Sequence, residues 1–183
     1  MLHFFHSFFH RKNDHALHSV ISMSAETILL FEGDPHILWT LRTALESERY
    51  IVIAAHTIEK VLQNLSEFEI SAMITDYWNS QKCTFDAVRE LKGRFPEAYV
   101  MMISDADLEE SSYEEMINAG VDDYFVKPFP CRKVLLHLRK GLRIRNCQLQ
   151  KKRLEETFGQ MEREKSMTGL TGAGTFPVGK SLP

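Results

Sequence analysis

Five short runs, ILLF (28–31), YIVIAA (50–55), ISAMIT (70–75), YVMMIS (99–104) and DYFVK (123–127), are apolar at consecutive positions. That is the pattern of strands covered on both faces, not of strands with one face in water. Between them the apolar residues recur at helical spacing. Ile37, Leu38, Leu41 and Leu45 share one face, as do Ile58, Val61, Leu62 and Leu65, and Phe85, Val88, Leu91 and Phe95. Met116 and Ile117 mark a fourth helix with Gly120 as its left-handed C-cap, and Val134, Leu135 and Leu138 open a fifth. Strand and helix in alternation leave few solutions, because parallel neighbours need crossovers and crossovers are right-handed. The expectation is an α/β fold, a doubly wound parallel five-stranded sheet covered by helices on both faces.

The 183 residues suffice for one core of ordinary size and are short for two complete domains. The segment 1–25 reads as an N-terminal extension, disordered or translated from an early start with Met23 as the natural beginning; metal binding through His3, His6 and His10 is its alternative. Residues 26–145 form the expected domain, 146–165 a helical linker and 166–183 a flexible tail. With a formal charge of −3, nothing marks the whole chain as a nucleic-acid or membrane binder. No run of about 18 apolar residues is present, which excludes a spanning helix. Cys83, Cys131 and Cys147 are widely spaced and form no CxxC pair, so they read as reduced thiols of a cytoplasmic protein.

In a doubly wound sheet, ligands bind beyond the carboxyl ends of the strands. Glu32, Asp76, Ser104 and Lys127 all fall at such ends. Singly, each has an ordinary reading: a strand-ending aspartate, a loop-entry hydroxyl, a solvated lysine. Together they outline a site that holds a phosphoryl group on Asp76. An aspartate accepts such a group when a divalent cation screens the charge and a hydroxyl and an ammonium bind the transferred oxygens.

The segments ILLFEGDP, MITDYW, VMMISD and YFVKPF, in this order, resemble the receiver domain of two-component response regulators, over roughly Thr27 to Arg145. The resemblance implies a flavodoxin-like (βα)5 fold with strand order 2-1-3-4-5, followed here by a helical C-terminal extension. It implies phosphorylation of Asp76 by a histidine kinase or phosphotransfer protein, with Ser104 and Lys127 on the phosphoryl oxygens and a cis bond before Pro128. Mg²⁺ is implied on Asp76, the Trp78 backbone carbonyl and, through water, Glu32. Tyr124 matches the aromatic that switches with Ser104, and the surface of the fourth helix, fifth strand and fifth helix is the one such domains use for homodimers or partners. No enzymatic turnover is implied beyond self-phosphorylation from a donor with Mg²⁺ and autodephosphorylation.

The chain departs from the family pattern at several positions. Gly33 replaces the second residue of an acidic pair, and Asp34 before Pro35 carries a helix N-cap signature, which assigns Asp34 to capping ahead of metal binding. The Mg²⁺ site is therefore expected to be weak. Ser80 and Thr84 replace a Pro and a Gly, so the turn NSQKCT is expected to be less preorganised. Asp105 replaces a small residue and either repels a phosphodonor or substitutes for the missing acidic ligand. Trp78 either shields the acyl phosphate or is a surface aromatic. Gly33 and Asp105 make a pseudo-receiver, an interaction module that does not cycle phosphate, the alternative function. A flavin-binding flavodoxin-like protein would need a Ser/Thr/Gly phosphate loop where this chain has the acidic EGDPHI.

Beyond Leu138 the helical pattern continues. Ile144, Cys147, Lys151, Leu154, Phe158 and Met161 keep a 3-4 spacing, which reads equally as a short coiled-coil seam or a solvated linker. Arg139, Lys140, Arg143, Arg145, Lys151, Lys152 and Arg153 lack the interleaved aromatics of a nucleic-acid surface and read as a charged linker face. The run from Gly174 to Ser181 fits a phosphate-loop spacing, but neither a strand precedes it nor a helix follows, so the tail reads as a linker toward an output domain.

Overall fold

The computed structural model describes residues 25–79 and 82–169. His3, His6, His10, Met23, Ser80 and the phosphate-loop-like run lie outside the described residues. Strand β1 (Thr27–Phe31) leads into α1 (Pro35–Ser47), β2 (Ile51–Ala55), α2 (Ile58–Glu67) and β3 (Ala72–Asp76). Helix α3 (Phe85–Arg94), β4 (Tyr99–Ser104), α4 (Glu110–Ala119), β5 (Asp123–Val126) and α5 (Cys131–Gly169) follow. The five strands pair in parallel in the order β2-β1-β3-β4-β5, as expected for a flavodoxin-like sheet.

Consecutive apolar residues on each strand serve opposite faces. Leu29 and Phe31 of β1 pack with Val61 and Leu65 of α2, Val88 and Leu91 of α3 and Met116 of α4. Ile28 and Leu30 turn the other way, onto Leu41 and Leu45 of α1 and Val134, Leu138 and Leu142 of α5. Each fully buried side chain of this size contributes about 1.5–3 kcal/mol, so both layers stabilise the central strands.

Helix ends follow local rules. Asp34 caps α1, its Oδ1 accepting from the His36 N–H at 2.7 Å and the Ile37 N–H at 3.2 Å, with Pro35 opening the helix. Gly120 ends α4 at φ 95°, where a side chain would be strained. The compact unit closes at Leu142. Helix α5 itself runs on unbroken through 145/146 to Gly169, into the stretch read as tail. The hydrogen-bonded turns continue because no Pro interrupts them.

Candidate functional site

The parallel register lines up the strand ends. Phe31 pairs with Thr75, Asp76 with Ile103 and Ser104 with Val126, which sets Glu32 level with Asp76 and leaves Lys127 one step past the last pair of β5. The Tyr77 N–H donates to the Ile103 carbonyl at 2.6 Å and the Lys127 N–H to the Ser104 carbonyl at 2.8 Å, so the ladder extends to the site itself. The Lys127–Pro128 bond is cis.

Glu32 and Asp76 are 1% and 6% exposed. The Lys127 ammonium lies 3.2 Å from Asp76 Oδ2, 3.5 Å from Glu32 Oε2 and 3.4 Å from Asp105 Oδ1. Asp76 Oδ1 and Glu32 Oε2 are buried and have no hydrogen-bond partner among the described residues. Three carboxylates around one ammonium carry two surplus negative charges when ionised. Burial raises the Asp76 pKa, with the Asp105 charge adding to it and Lys127 opposing. Burial likewise raises Glu32, against the hydrogen bond that its Oε1 accepts from the Asp34 N–H at 2.9 Å. For Lys127 burial acts downward, but the carboxylates outweigh it and its pKa is raised.

This arrangement fits a divalent cation. Mg²⁺ takes oxygen ligands, commonly one or two carboxylates with several waters retained, and the two carboxylate oxygens that accept no hydrogen bond supply that donor set. No cluster of three or more His, Cys, Asp or Glu encloses a metal among the described residues. Asp34 is committed to its cap, and the Asp105 side chain is 79% exposed.

Ser104 is buried at the end of β4, beside the strand that carries Asp76, but its hydroxyl donates to the Ala106 carbonyl at 2.8 Å. The Tyr124 hydroxyl donates to that same carbonyl at 2.8 Å, and its ring meets Tyr113 of α4 edge-on at 5.7 Å. One carbonyl thus joins the two residues expected to switch together. Trp78 is half exposed, in tilted contact with Tyr77 at 5.7 Å.

The turn expected to be less preorganised contains residues 80 and 81, which lie outside the described residues. Trp78–Asn79 pairs antiparallel with Lys82–Cys83 in a small hairpin. The fully buried Thr84 donates its hydroxyl to the Asp76 carbonyl at 2.6 Å, and the Thr75 hydroxyl reaches the same carbonyl at 3.0 Å. A glycine in place of Thr84 would offer no side-chain donor, so the substitution that removes backbone freedom also adds a clamp. Thr75 and Ala106 are neighbours of the site that sequence reasoning missed, and nothing in their local sequence distinguishes them; Thr84 stood out as a departure, but its bond to the Asp76 carbonyl did not. An apolar cleft of 270 Å³ adjoins the site, lined by residues that include His36, Ile37, Leu41, Lys127, Phe129 and Cys131.

A family model described as the response regulator receiver domain matches residues 28–139. The KDP operon transcriptional regulatory protein KdpE of Escherichia coli is 30% identical over 116 residues, 63% of this chain and 51% of that protein. The chain thus spans about half the length of the curated relatives it matches. A CheY-like response regulator receiver domain protein from Methanospirillum hungatei superposes with a TM-score of 0.64 at 22% identity, covering 68% of this chain and 99% of that one. The receiver domain of the Pseudomonas aeruginosa sensor histidine kinase PA1611, solved with magnesium in its active-site cleft, gives a TM-score of 0.57 at 20% identity, covering 65% and 98%. Among the described residues no helix is long and apolar enough to cross a membrane.

Proposed function

The chain belongs to the response regulator receiver domain family, and from that premise we propose that Asp76 is the phosphoryl acceptor of this two-component signalling receiver. The observation that carries the proposal is the state of its carboxylate. Oδ2 is held by Lys127 at 3.2 Å, while Oδ1 is buried at a strand end without a hydrogen bond, which leaves lone pairs free to attack.

In the transfer, an Asp76 carboxylate oxygen attacks phosphorus, the bond to the donor breaks, and the donor atom leaves with its electron pair and a proton from solvent. For a histidine kinase or phosphotransfer protein the donor atom is an imidazole nitrogen. Lys127 neutralises the carboxylate beforehand and then binds a phosphoryl oxygen. Asp76, the Trp78 backbone carbonyl and, through water, Glu32 would hold a Mg²⁺ ion, which would supply screening of the incoming phosphoryl charge. Ser104 must leave the Ala106 carbonyl to reach the phosphoryl group, which frees that carbonyl for Tyr124 alone and couples the site to α4. The same groups make slow self-phosphorylation from a small donor, and autodephosphorylation, the only turnover assigned. Asp105, its side chain 79% exposed, reaches Lys127 from the solvent side. Kinship with transcriptional response regulators favours this reading over the pseudo-receiver.

The partners follow from the same surfaces. The apolar cleft beside Lys127 offers a phosphodonor protein a place to dock, and the α4–β5–α5 surface or the exposed C-terminal part of α5 offers a second copy one. The location proposed is the cytoplasm, where the kinases of such systems present their phosphoryl groups.

Incubation with a small phosphodonor and Mg²⁺, read by intact mass and Phos-tag gels, tests the acceptor. One acid-stable, base-labile phosphoryl group is expected, absent in Asp76→Ala and retained in Ser104→Ala, with a fluoroberyllate mimic changing amide exchange across 104–142 in wild type but much less in Ser104→Ala. Equal labelling of wild type and Asp76→Ala would sink the assignment.

A further inference from the structure

Past Leu142, the side chains of α5 are sorted. Ile144, Leu154, Phe158 and Met161 are 48%, 59%, 63% and 49% exposed, Cys147 is exposed, and Lys151 stands among them. Their 3-4 spacing places all six on one stripe, the a and d positions of a coiled coil. An exposed apolar stripe along one face of a helix implies a cover.

Charge selects the cover and its direction. Residues 143–153 hold no acid, and of their five basic side chains Arg145 is buried while Arg143, Lys151, Lys152 and Arg153 are exposed. Residues 154–164 hold Glu155, Glu156, Glu162 and Glu164 against Arg163 alone. A polyanion or an anionic membrane would meet repulsion from the second half. A second copy running the same way would lay basic half on basic half and set the two Lys151 ammoniums in one layer of the seam. Running the opposite way, each basic half meets an acidic half. Ile144 then faces Met161 of the second copy, Cys147 faces Phe158, Lys151 faces Leu154 beside Glu155, and Arg143 flanks Glu164.

We propose that the segment 143–164 is a homodimerisation helix that pairs antiparallel with a second copy of this chain. The proposal rests on the reading of α5 as a self-association surface, and it stands independently of phosphoryl transfer to Asp76. A lone lysine at an a position sets the orientation here, at some loss of stability.

The test uses the full chain without phosphodonor, in a Cys83→Ser/Cys131→Ser background that keeps Cys147. Sedimentation should show a concentration-dependent dimer. Mild oxidation should leave Cys147 uncoupled, because it faces Phe158, and adding Phe158→Cys should give a covalent dimer. Arg143→Glu should weaken association about fivefold through like-charge contact with Glu164, and Glu164→Arg added to it should restore the dimer, a rescue that the parallel pairing cannot give. A monomer at every concentration overturns self-association. A covalent dimer through Cys147 alone, or failure of the rescue, overturns the antiparallel orientation while leaving self-association and the acceptor assignment standing.

Discussion

Carboxylates gather at both ends of the central sheet, and the two ends treat them in opposite ways. At the amino end, Asp122 Oδ2 accepts from the Val100 N–H at 2.8 Å and the Lys92 ammonium at 2.9 Å. Its neighbour Asp123 accepts from the Tyr99 hydroxyl and meets His137 Nδ1 at 2.9 Å, joining β4, β5 and α5. Burial, and then the bond to Asp123, pushes the Tyr99 phenol far above its ordinary pKa, so it stays a donor throughout the usual pH range. At the carboxyl end, Glu32 and Asp76 are more deeply buried, yet each keeps an oxygen without a hydrogen bond, and a single lysine serves both and Asp105 as well. Satisfied acids hold strands together. Unsatisfied ones mark where the fold tolerates a standing electrostatic cost in exchange for a binding site.

That contrast breaks most visibly at Lys127. Lys127→Met leaves the buried carboxylates without compensation and should cost about 3 kcal/mol of unfolding free energy near neutral pH. The loss should shrink in acid, and added Mg²⁺ should recover part of it. Denaturant titrations at two pH values decide, and an unchanged midpoint would mean that the acids do not repel one another.

The opposite end answers to packing. A Cβ on Gly141 would overlap the Tyr99 ring, so Gly141→Ala must displace the ring from Asp123. The expected cost is about 2 kcal/mol, with Mg²⁺ affinity and phosphoryl labelling intact. Loss of labelling in a folded Gly141→Ala protein would show that the two ends are not independent.

Neutralising the carboxyl end should instead stabilise. Asp76 and Glu32 have folded pKa values above their ordinary 3.8 and 4.5. Between those values and the raised ones the folded chain binds more protons than the unfolded chain, so unfolding free energy falls as pH rises through that window. Asp76→Asn or Glu32→Gln should therefore gain about 1 kcal/mol at neutral pH and flatten the pH dependence. A destabilised variant with the wild-type pH slope would contradict the electrostatic account. The smallest change tests Gly33, which is exposed beside the cluster. Gly33→Asp should tighten Mg²⁺ about threefold, or roughly 0.6 kcal/mol, in a titration of Trp78 fluorescence. An unchanged midpoint would point to Asp105 as already filling that role.

The sequence by itself determined the strands, the helices and their order, because burial on both faces writes consecutive apolar residues and burial on one helical face writes a 3.6-residue repeat. It also determined the Asp34 cap and the Gly120 turn, which depend on atoms only a few residues away. It placed Glu32, Asp76, Ser104 and Lys127 at strand ends, since position along a strand is a local property. What each of these side chains touches was decided by the tertiary structure alone. The Lys127 contact to Asp76 joins residues 51 apart, the Tyr124 bond to Ala106 spans 18, and the Thr84 clamp on Asp76 spans 8. A side chain's periodicity is written in its neighbours along the chain, but its hydrogen-bond partner is chosen by whichever distant loop the packed sheet brings within reach. The two carboxylate oxygens that accept no hydrogen bond could be found only after every such loop was in place.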